Sequence, residues 1–419
     1  MDDLVKEIKA RASLKEILLP IVYSYKQKRD SIAVDKDKLR DNVRQIKEKS
    51  IEDISSLRKQ AISNLQKSGI TVLELPDAKA VKKVLYDIIG KEKLIVKSKS
   101  NLASELGLSE MLAGSELVET DVGDFLVNLA EEKESHPVLP ALLLTPERIS
   151  ELIEQKLHEK VKPNPDAIVR FVREYIRGKL LAAKVGITGA NVITADGSVV
   201  ILENEGNISL VSRIPDKHVI IAGIDKIVPT REDALQIVKC AAVYGTGQDY
   251  PSYVNIISGP SKTADIQNET VTGAQGAKEV FLLLVDNGRS AILKSDYKEL
   301  LYCINCGACL NFCPVYHQIT TRYGSKFPGA KGVIQSVFLE GLHESYEHGA
   351  YFCTGCQACK ENCPAKIDLP NLIKTLRRDL AKNGIEPKGV TEMIKNVKKF
   401  GNPFGEVAEG KIPKSLYCC

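Results

Sequence analysis

The chain has 419 residues, 43% of them hydrophobic and 27% charged, with a formal net charge of +4. That length and mixture describe a globular protein of two or three domains with enough apolar residues for a real core. The small charge, with acids and bases interleaved, argues against nucleic-acid binding, and no apolar run approaches the roughly 20 residues of a membrane-spanning helix.

Residues 1–66 are charge-rich and read as a helical segment. Leu39, Val43, Ile46, Ile54, Leu57, Ala61 and Leu65 recur at threes and fours with one gap, on one stripe of a long helix. Such a stripe faces its own domain's core or is offered to a partner subunit. The opening MDDLVKEIKARASLKEILLP lacks the charged-then-apolar order of an export signal. The expected location is the cytoplasm, with contact to the inner membrane face only through a partner.

At 67 the texture changes. GITVLEL (69–75), KLIVKS (93–98) and ELVETD (116–121) read as strands, separated by helical stretches. In DAKAVKKVLYDIIG, Asp77 caps the start and Gly90 ends the helix. Alternating strand and helix argue for an α/β layer with a mostly parallel sheet. After a long helix at 166–184, NVITADGSVVILENEGNISLVS, HVIIAGIDKIV, SYVNIISGP and EVFLLLVDN read as strands, with a hairpin at Ala195–Asp196–Gly197. Residues 67–294 thus form one α/β domain whose second half has antiparallel character.

Several polar groups in this domain are candidate ligand contacts. Ser258, Gly259, Ser261, Lys262 and Thr263 form a loop at a strand end, where backbone N–H groups and a lysine can converge on an anion. Asn204, Glu205, Gly206 and Asn207 form a second such loop, expected to face the first across a site for a small anion or carboxylate. An ordinary turn is the competing reading of each. Glu203 and Glu205 fall on the same side of a strand if the chain is extended there. Lys97 and Lys99 alternate along a strand and could meet a carboxylate or phosphate, but such alternating lysines more often read as solvated. No G-x-G-x-x-G motif follows a strand, so no nicotinamide or flavin site is expected.

Eight of the eleven cysteines lie in two runs, CINCGACLNFCP (303–314) and CTGCQACKENCP (353–364). Each is C-x2-C-x2-C-x3-C-P, the ferredoxin pattern in which the fourth cysteine serves the other cluster. Tight turns point three thiolates into one concavity, and small residues let the backbone wrap closely. Cys303, Cys306, Cys309 and Cys363 are the expected ligands of one [4Fe–4S] cluster, and Cys353, Cys356, Cys359 and Cys313 of the other. Two structural zinc sites fit less well, because zinc sites pair their ligands two by two. His317 is near enough to tune a cluster or is merely adjacent, and His136 reads as structural. Cys240 lies in a helix as a small buried residue, while Cys418 and Cys419 sit at an exposed terminus. Helical spacing in 329–349, and the stretch after Asp368 closed by Gly384, suggest an all-helical ferredoxin module over 295–384, with a tail at 385–419. Such modules are similar to those of succinate dehydrogenase iron–sulfur subunits and heterodisulfide reductase small subunits.

The segments VKSKSN (96–101), ELVETDVGDFLVNLA (116–130), ESHPVLPAL (134–142), 186–230 and SGPSKTADIQ (258–267) together resemble the LUD domain. Followed by LLVDNGRSAIL, the first cysteine run and YGSKFPG, they make the chain similar to the lactate utilization protein B family over about 70–375. The sequence departs from that pattern at Ala330 and Lys331. The resemblance implies a fold like that of the ribose-5-phosphate isomerase and CoA-transferase group. It also implies an electron-transfer subunit for oxidation of L-lactate to pyruvate. The implied companions are a cysteine-rich subunit and a separate LUD protein, with electrons passing on to a carrier or quinone pathway. A subunit of a heterodisulfide- or quinone-linked reductase, and a transferase or isomerase with structural clusters, are the competing readings.

Overall fold

The computed structural model describes residues 12–132, 136, 139–141 and 143–407. Residues 1–11 of the amino-terminal segment, and Cys418 and Cys419, lie outside the described residues. The strands in chain order are β1 Ile70–Leu75, β2 Leu94–Lys97, β3 Glu116–Glu119, β4 Val185–Gly189, β5 Val192–Thr194, β6 Ser198–Glu203, β7 Lys217–Gly223, β8 Ile227–Val228, β9 Tyr253–Ile257, β10 Lys262–Thr263, β11 Val271–Thr272 and β12 Glu279–Val285.

Six of them form a parallel sheet in the order β1-β12-β7-β4-β2-β3. Both faces are covered, as a parallel sheet requires. In β7, Ile220 and Ala222 enter a core shared with helix Ile54–Lys67, while Val219 and Ile221 face helices Ala78–Ile89 and Asn101–Leu106. Asp77 caps the first of these helices through the Ala80 amide, and Gly90 ends it. A second sheet runs β8-β5-β6-β9, with the β5–β6 hairpin and the β6–β9 pair antiparallel. The mixed character expected of the second half is therefore housed in a sheet of its own.

Two elements differ from the sequence expectation. The stripe from Leu39 to Leu65 belongs to two helices, Lys36–Glu52 and Ile54–Lys67, broken at Asp53. The break re-aims the stripe. Leu39, Val43 and Ile51 pack with the cysteine region, whereas Ile54, Leu57, Ala61 and Leu65 pack under the sheet. The apolar face is buried within the chain. Residues 207–213, expected as strand, form helix Asn207–Arg213. The physical reason is Glu203 at the end of β6, whose carboxylate accepts from the amides of Ile208 (2.6 Å) and Ser209 (3.0 Å) and satisfies that helix start.

From Arg289 onward the regular elements among the described residues are helices, with one isolated bridge between Gly324 and Pro328. Helix Leu369–Lys382 is capped by Asp368 and buries Leu372, Ile373, Leu376 and Leu380. The stretch 329–349 splits into helices Gly329–Leu339 and Leu342–Glu347. The tail contains helix Lys388–Phe400, which leaves Val390, Ile394 and Val397 exposed.

Lys97 corrects another expectation. It is 3% exposed, and its ammonium meets Glu119 at 2.6 Å. The two are register partners on β2 and β3, so the sheet itself brings the charges together. Lys99 likewise meets Asp124 at 2.6 Å. Replacing Glu119 with Ala leaves a buried lysine unmatched and should cost about 3–5 kcal/mol, whereas the paired change Lys97→Met with Glu119→Leu should be close to neutral. Denaturant unfolding midpoints of the parent chain and these two variants test this; equal losses for the single and double changes would refute it.

Candidate functional site

The two cysteine runs fold alike. Asn305 and Gly307 take φ of 59° and 77° in the first, and Gly355 and Gln357 take 70° and 68° in the second. Each run thus needs the left-handed backbone at the same two positions and supplies glycine at only one of them. The turns aim amides at sulfur. The Asn305 N–H donates to Cys303 Sγ at 3.4 Å, and the Tyr316 N–H to Cys313 Sγ at 3.5 Å.

The runs also exchange their last members. Cys303, Cys306, Cys309 and Cys363 line one small space. Cys313, Cys353, Cys356 and Cys359 line a second, which Cys309 borders. Burial, and then the charge of Cys303, pushes Cys363 up to about 12, and burial followed by Cys313 does so for Cys359.

This donor set fits iron–sulfur clusters. The thiols line two separate spaces, four to each, as two four-iron clusters with crossed ligands need. Nearby cations complement the negative charge of thiolate-held clusters. Lys226 donates to the Cys303 carbonyl (3.2 Å), Arg40 to that of Cys363 (3.1 Å) and Arg377 to that of Cys353 (2.6 Å). Lys47 is 2% exposed and donates to the Asp225 carbonyl close to Cys303.

Beside the first cysteine set lies a cavity of about 400 Å³. One wall carries Cys303, Asn305, Cys306 and Lys331. The other is the carboxyl edge of the parallel sheet, with Ser100 after β2, Asp121 after β3, Gly189 ending β4, and Gly223 ending β7. The chain runs from β2 outward to β3, returns past β2 to β4, and continues toward β7. That reversal between β2 and β4 is the switch point where open α/β sheets bind ligands. The walls there are close. A Cβ on Gly189 would lie 2.7 Å from Ser100 Oγ, and one on Gly223 2.3 Å from Asp225 Oδ1.

A buried charge network closes the floor. Arg289, after β12, meets Glu105 at 2.9 Å and Asp225 at 2.5 Å, and Asp225 also meets Lys226 at 3.2 Å. Burial disfavours the Glu105 anion, but Arg289 outweighs it and holds the carboxyl below its ordinary range. Glu205 reaches solvent at the cavity mouth, yet partial burial of its carboxylate, and then the like charge of Asp121, pushes its pKa up to about 7.

The two polar loops expected to face each other do not form one site. Asn204, Glu205 and Asn207 line the cavity, but residues 258–263 do not. The reason is the antiparallel register, which pairs Glu203 with Tyr253 and Val199 with Ile257. The segments leaving β6 and β9 therefore depart from opposite ends. Ser258 Oγ instead meets Ser198 Oγ at 2.7 Å, and the loop's Lys262 is exposed on the β10–β11 hairpin. Ser261 accepts the Gly273 amide, and Gly259 packs on Ser68. Gly206 takes φ of 80° before the helix Glu203 caps, so Glu203 is a structural acceptor and Glu205 lies beyond the strand. His136 is buried and held neutral, lowered to about 4 by burial and then by Lys99. His317 pairs with the Asn311 carbonyl at 3.0 Å, and Cys240 is fully buried. The sequence reading assigned no role to Glu105, which lies outside the recognised stretches, nor to Asp225 and Lys226, which lie within 186–230. Arg289 lay in a recognised stretch without an assigned role.

Comparison with known proteins accounts for both halves of this arrangement. A LUD domain model matches residues 58–285, and a 4Fe-4S dicluster domain model matches 299–367. The uncharacterized electron transport protein YkgF of Escherichia coli (strain K12) is 34% identical over 305 residues, covering 72% of this chain and 62% of that protein. Lactate utilization protein B of Macrococcus caseolyticus is 37% identical, covering 71% of this chain and 61% of its own. The chain therefore spans about three fifths of these two relatives. Lactate utilization protein B of Bacillus subtilis (strain 168) is 34% identical over 365 residues, covering 85% and 74%. A crystal structure of a DUF162 family protein from Deinococcus radiodurans covers 55% of this chain and 98% of its own, at 13% identity and a TM-score of 0.31. With a LUD domain over more than half its length, a dicluster domain after it, and such relatives, the chain belongs to the lactate utilization protein B family.

Proposed function

We propose that the chain is an iron–sulfur electron-transfer subunit holding two [4Fe–4S] clusters. Its complex oxidises L-lactate, or a similar 2-hydroxy acid, to pyruvate. The observation that carries this reading is the crossed gathering of eight cysteines into two sets of four. The names of the relatives support the lactate assignment. When bound, the clusters supply one-electron transfer. The protein's part is to fix, insulate and charge-balance them through the amides and cations around each set.

The two sets differ in what they face. Cys303 and Cys306 border the large cavity, whereas Cys356 is exposed at the surface. A route from an internal donor to an external protein acceptor would run from the first set to the second. The companions this reading calls for are a cysteine-rich subunit and a separate LUD protein, with a carrier or quinone pathway beyond them. No helix among the described residues is long and apolar enough to cross a membrane.

Anaerobic reconstitution should yield about eight irons and eight sulfides per chain, the content of two four-iron clusters. Half that content, or zinc in place of iron, would sink the two-cluster reading. The crossed arrangement has its own test. Cys313→Ser should perturb the spectrum of the cluster held by Cys353, Cys356 and Cys359 and leave the other largely intact. Damage confined to the first run's cluster would mean that each run closes on itself.

A further inference from the structure

The segment YGSKFPG, residues 323–329, lies between the two cysteine runs. Its first residue, Tyr323, is fully buried. The backbone there is held on both sides. The Tyr323 amide donates to the Thr320 carbonyl at 3.1 Å, and the Tyr323 carbonyl accepts the Gly329 amide. The next amide, that of Gly324, donates to the His348 carbonyl at 3.1 Å. A Cβ on Gly349 would lie 3.2 Å from the Tyr323 ring, so the ring packs closely on that stretch of chain. The side chain is thereby fixed in the wall of the second cysteine space, with Cys313, Cys353, Cys356 and Cys359.

The hydroxyl is the anomaly. It is buried, and among the described residues it has no hydrogen-bond partner in proper geometry. The side chain it lies against is that of Cys353, with Cys313 and Cys359 beyond. Phenylalanine would serve packing alone, and a buried hydroxyl left unpaired costs stability, so its presence calls for an acceptor. An ionised sulfur is a stronger acceptor than a neutral thiol. The first space offers a contrast. Its aromatic lining residue is Phe327, from the same segment, which has no proton to give.

We propose that Tyr323 donates a hydrogen bond to the Cys353 thiolate when the second cluster is bound, and so raises the reduction potential of that cluster. The inference rests on the two-cluster electron-transfer reading and adds to it a residue that biases the direction of flow. Reduction places more negative charge on the sulfurs around a cluster, so a donor aimed at one of them favours the reduced state. Electrons run toward the higher potential. A raised second potential therefore draws them away from the cavity side and toward the exposed Cys356.

The test is a redox titration of the full-length, cluster-loaded protein followed by electron paramagnetic resonance. The second cluster is identified as the one whose signal Cys356→Ser alters. Tyr323→Phe keeps the ring and removes only the donor. It should lower the second potential alone, cutting the reduced-to-oxidised ratio roughly tenfold at a fixed poise, which is about 59 mV for one electron. Should that variant fail to hold its clusters, 3-fluorotyrosine placed at position 323 keeps the ring and the hydroxyl, makes the proton a better donor, and should move the same potential upward. A second potential that stays put in the variant that folds, or an equal shift of both clusters, would overturn the assignment. Iron content of the same samples separates the two claims. Full iron with an unmoved potential removes this inference alone, whereas half the iron or none removes the two-cluster reading and this inference with it.

Discussion

The guanidinium of Arg289 holds the centre of the molecule together. It follows β12, binds Glu105 from the helix after β2, and binds Asp225 after β7. Asp225 then pairs with Lys226, whose ammonium reaches the carbonyl of Cys303. Three strand ends and the first cysteine loop are thereby fixed through one side chain. Burial opposes the Arg289 charge, yet Glu105 and Asp225 outweigh it and hold its pKa above the ordinary value. A buried network of this kind adds little net stability compared with apolar packing, but losing one member leaves its partners charged and dry. Its value here is geometric. It sets the distance between the carboxyl edge of the sheet and the cysteine roof, which is the width of the cavity.

The cysteine sets were legible in the sequence because their ligands are local. Three of the four cysteines in each set come from a single run, and one of the two left-handed positions in each run is marked by a glycine, Gly307 or Gly355. The parallel sheet was legible for a similar reason, since alternation of apolar strands and amphipathic helices is a short-range signal. The cavity was not. Its walls come from Ser100, Gly189, Asp225, Asn305 and Lys331, each unremarkable among its neighbours in sequence. Only the order of strands in the sheet brings them together, and that order is decided by long-range packing.

The local misreadings share a cause. Residues 207–213 have strand-like apolar spacing, but Glu203 satisfies the first amides and a helix forms instead. The loop at 258–263 has the composition of an anion site, but β9 runs antiparallel to β6 and carries it away from the cavity. Lys97 alternates like a solvated residue, but β3 places Glu119 opposite it. In the first case a side chain five residues back, and in the other two a strand distant in sequence, overrides what the neighbouring residues favour.

Helix Lys36–Glu52 shows how the halves are made to act as one body. Arg40, Arg44 and Lys47 are spaced by four and three residues and so share a face. Arg40 donates to the Cys363 carbonyl, Arg44 to Glu299 just ahead of the first run, and Lys47 to the Asp225 carbonyl at the strand ends. Arg44 also lies 4.5 Å from the centre of the Tyr302 ring. One helical face therefore touches the last cysteine of the second run, the approach to the first, and the floor of the cavity. Leu39, Val43 and Ile51 anchor the same helix in the core of the cysteine region. A rotation of this helix by a fraction of a turn would break contacts at all three places together. The distance between the cysteine sets and the sheet is thus held by a segment that precedes both in the chain, and the LUD fold and the cysteine module are joined more tightly than by the short stretch of backbone between them.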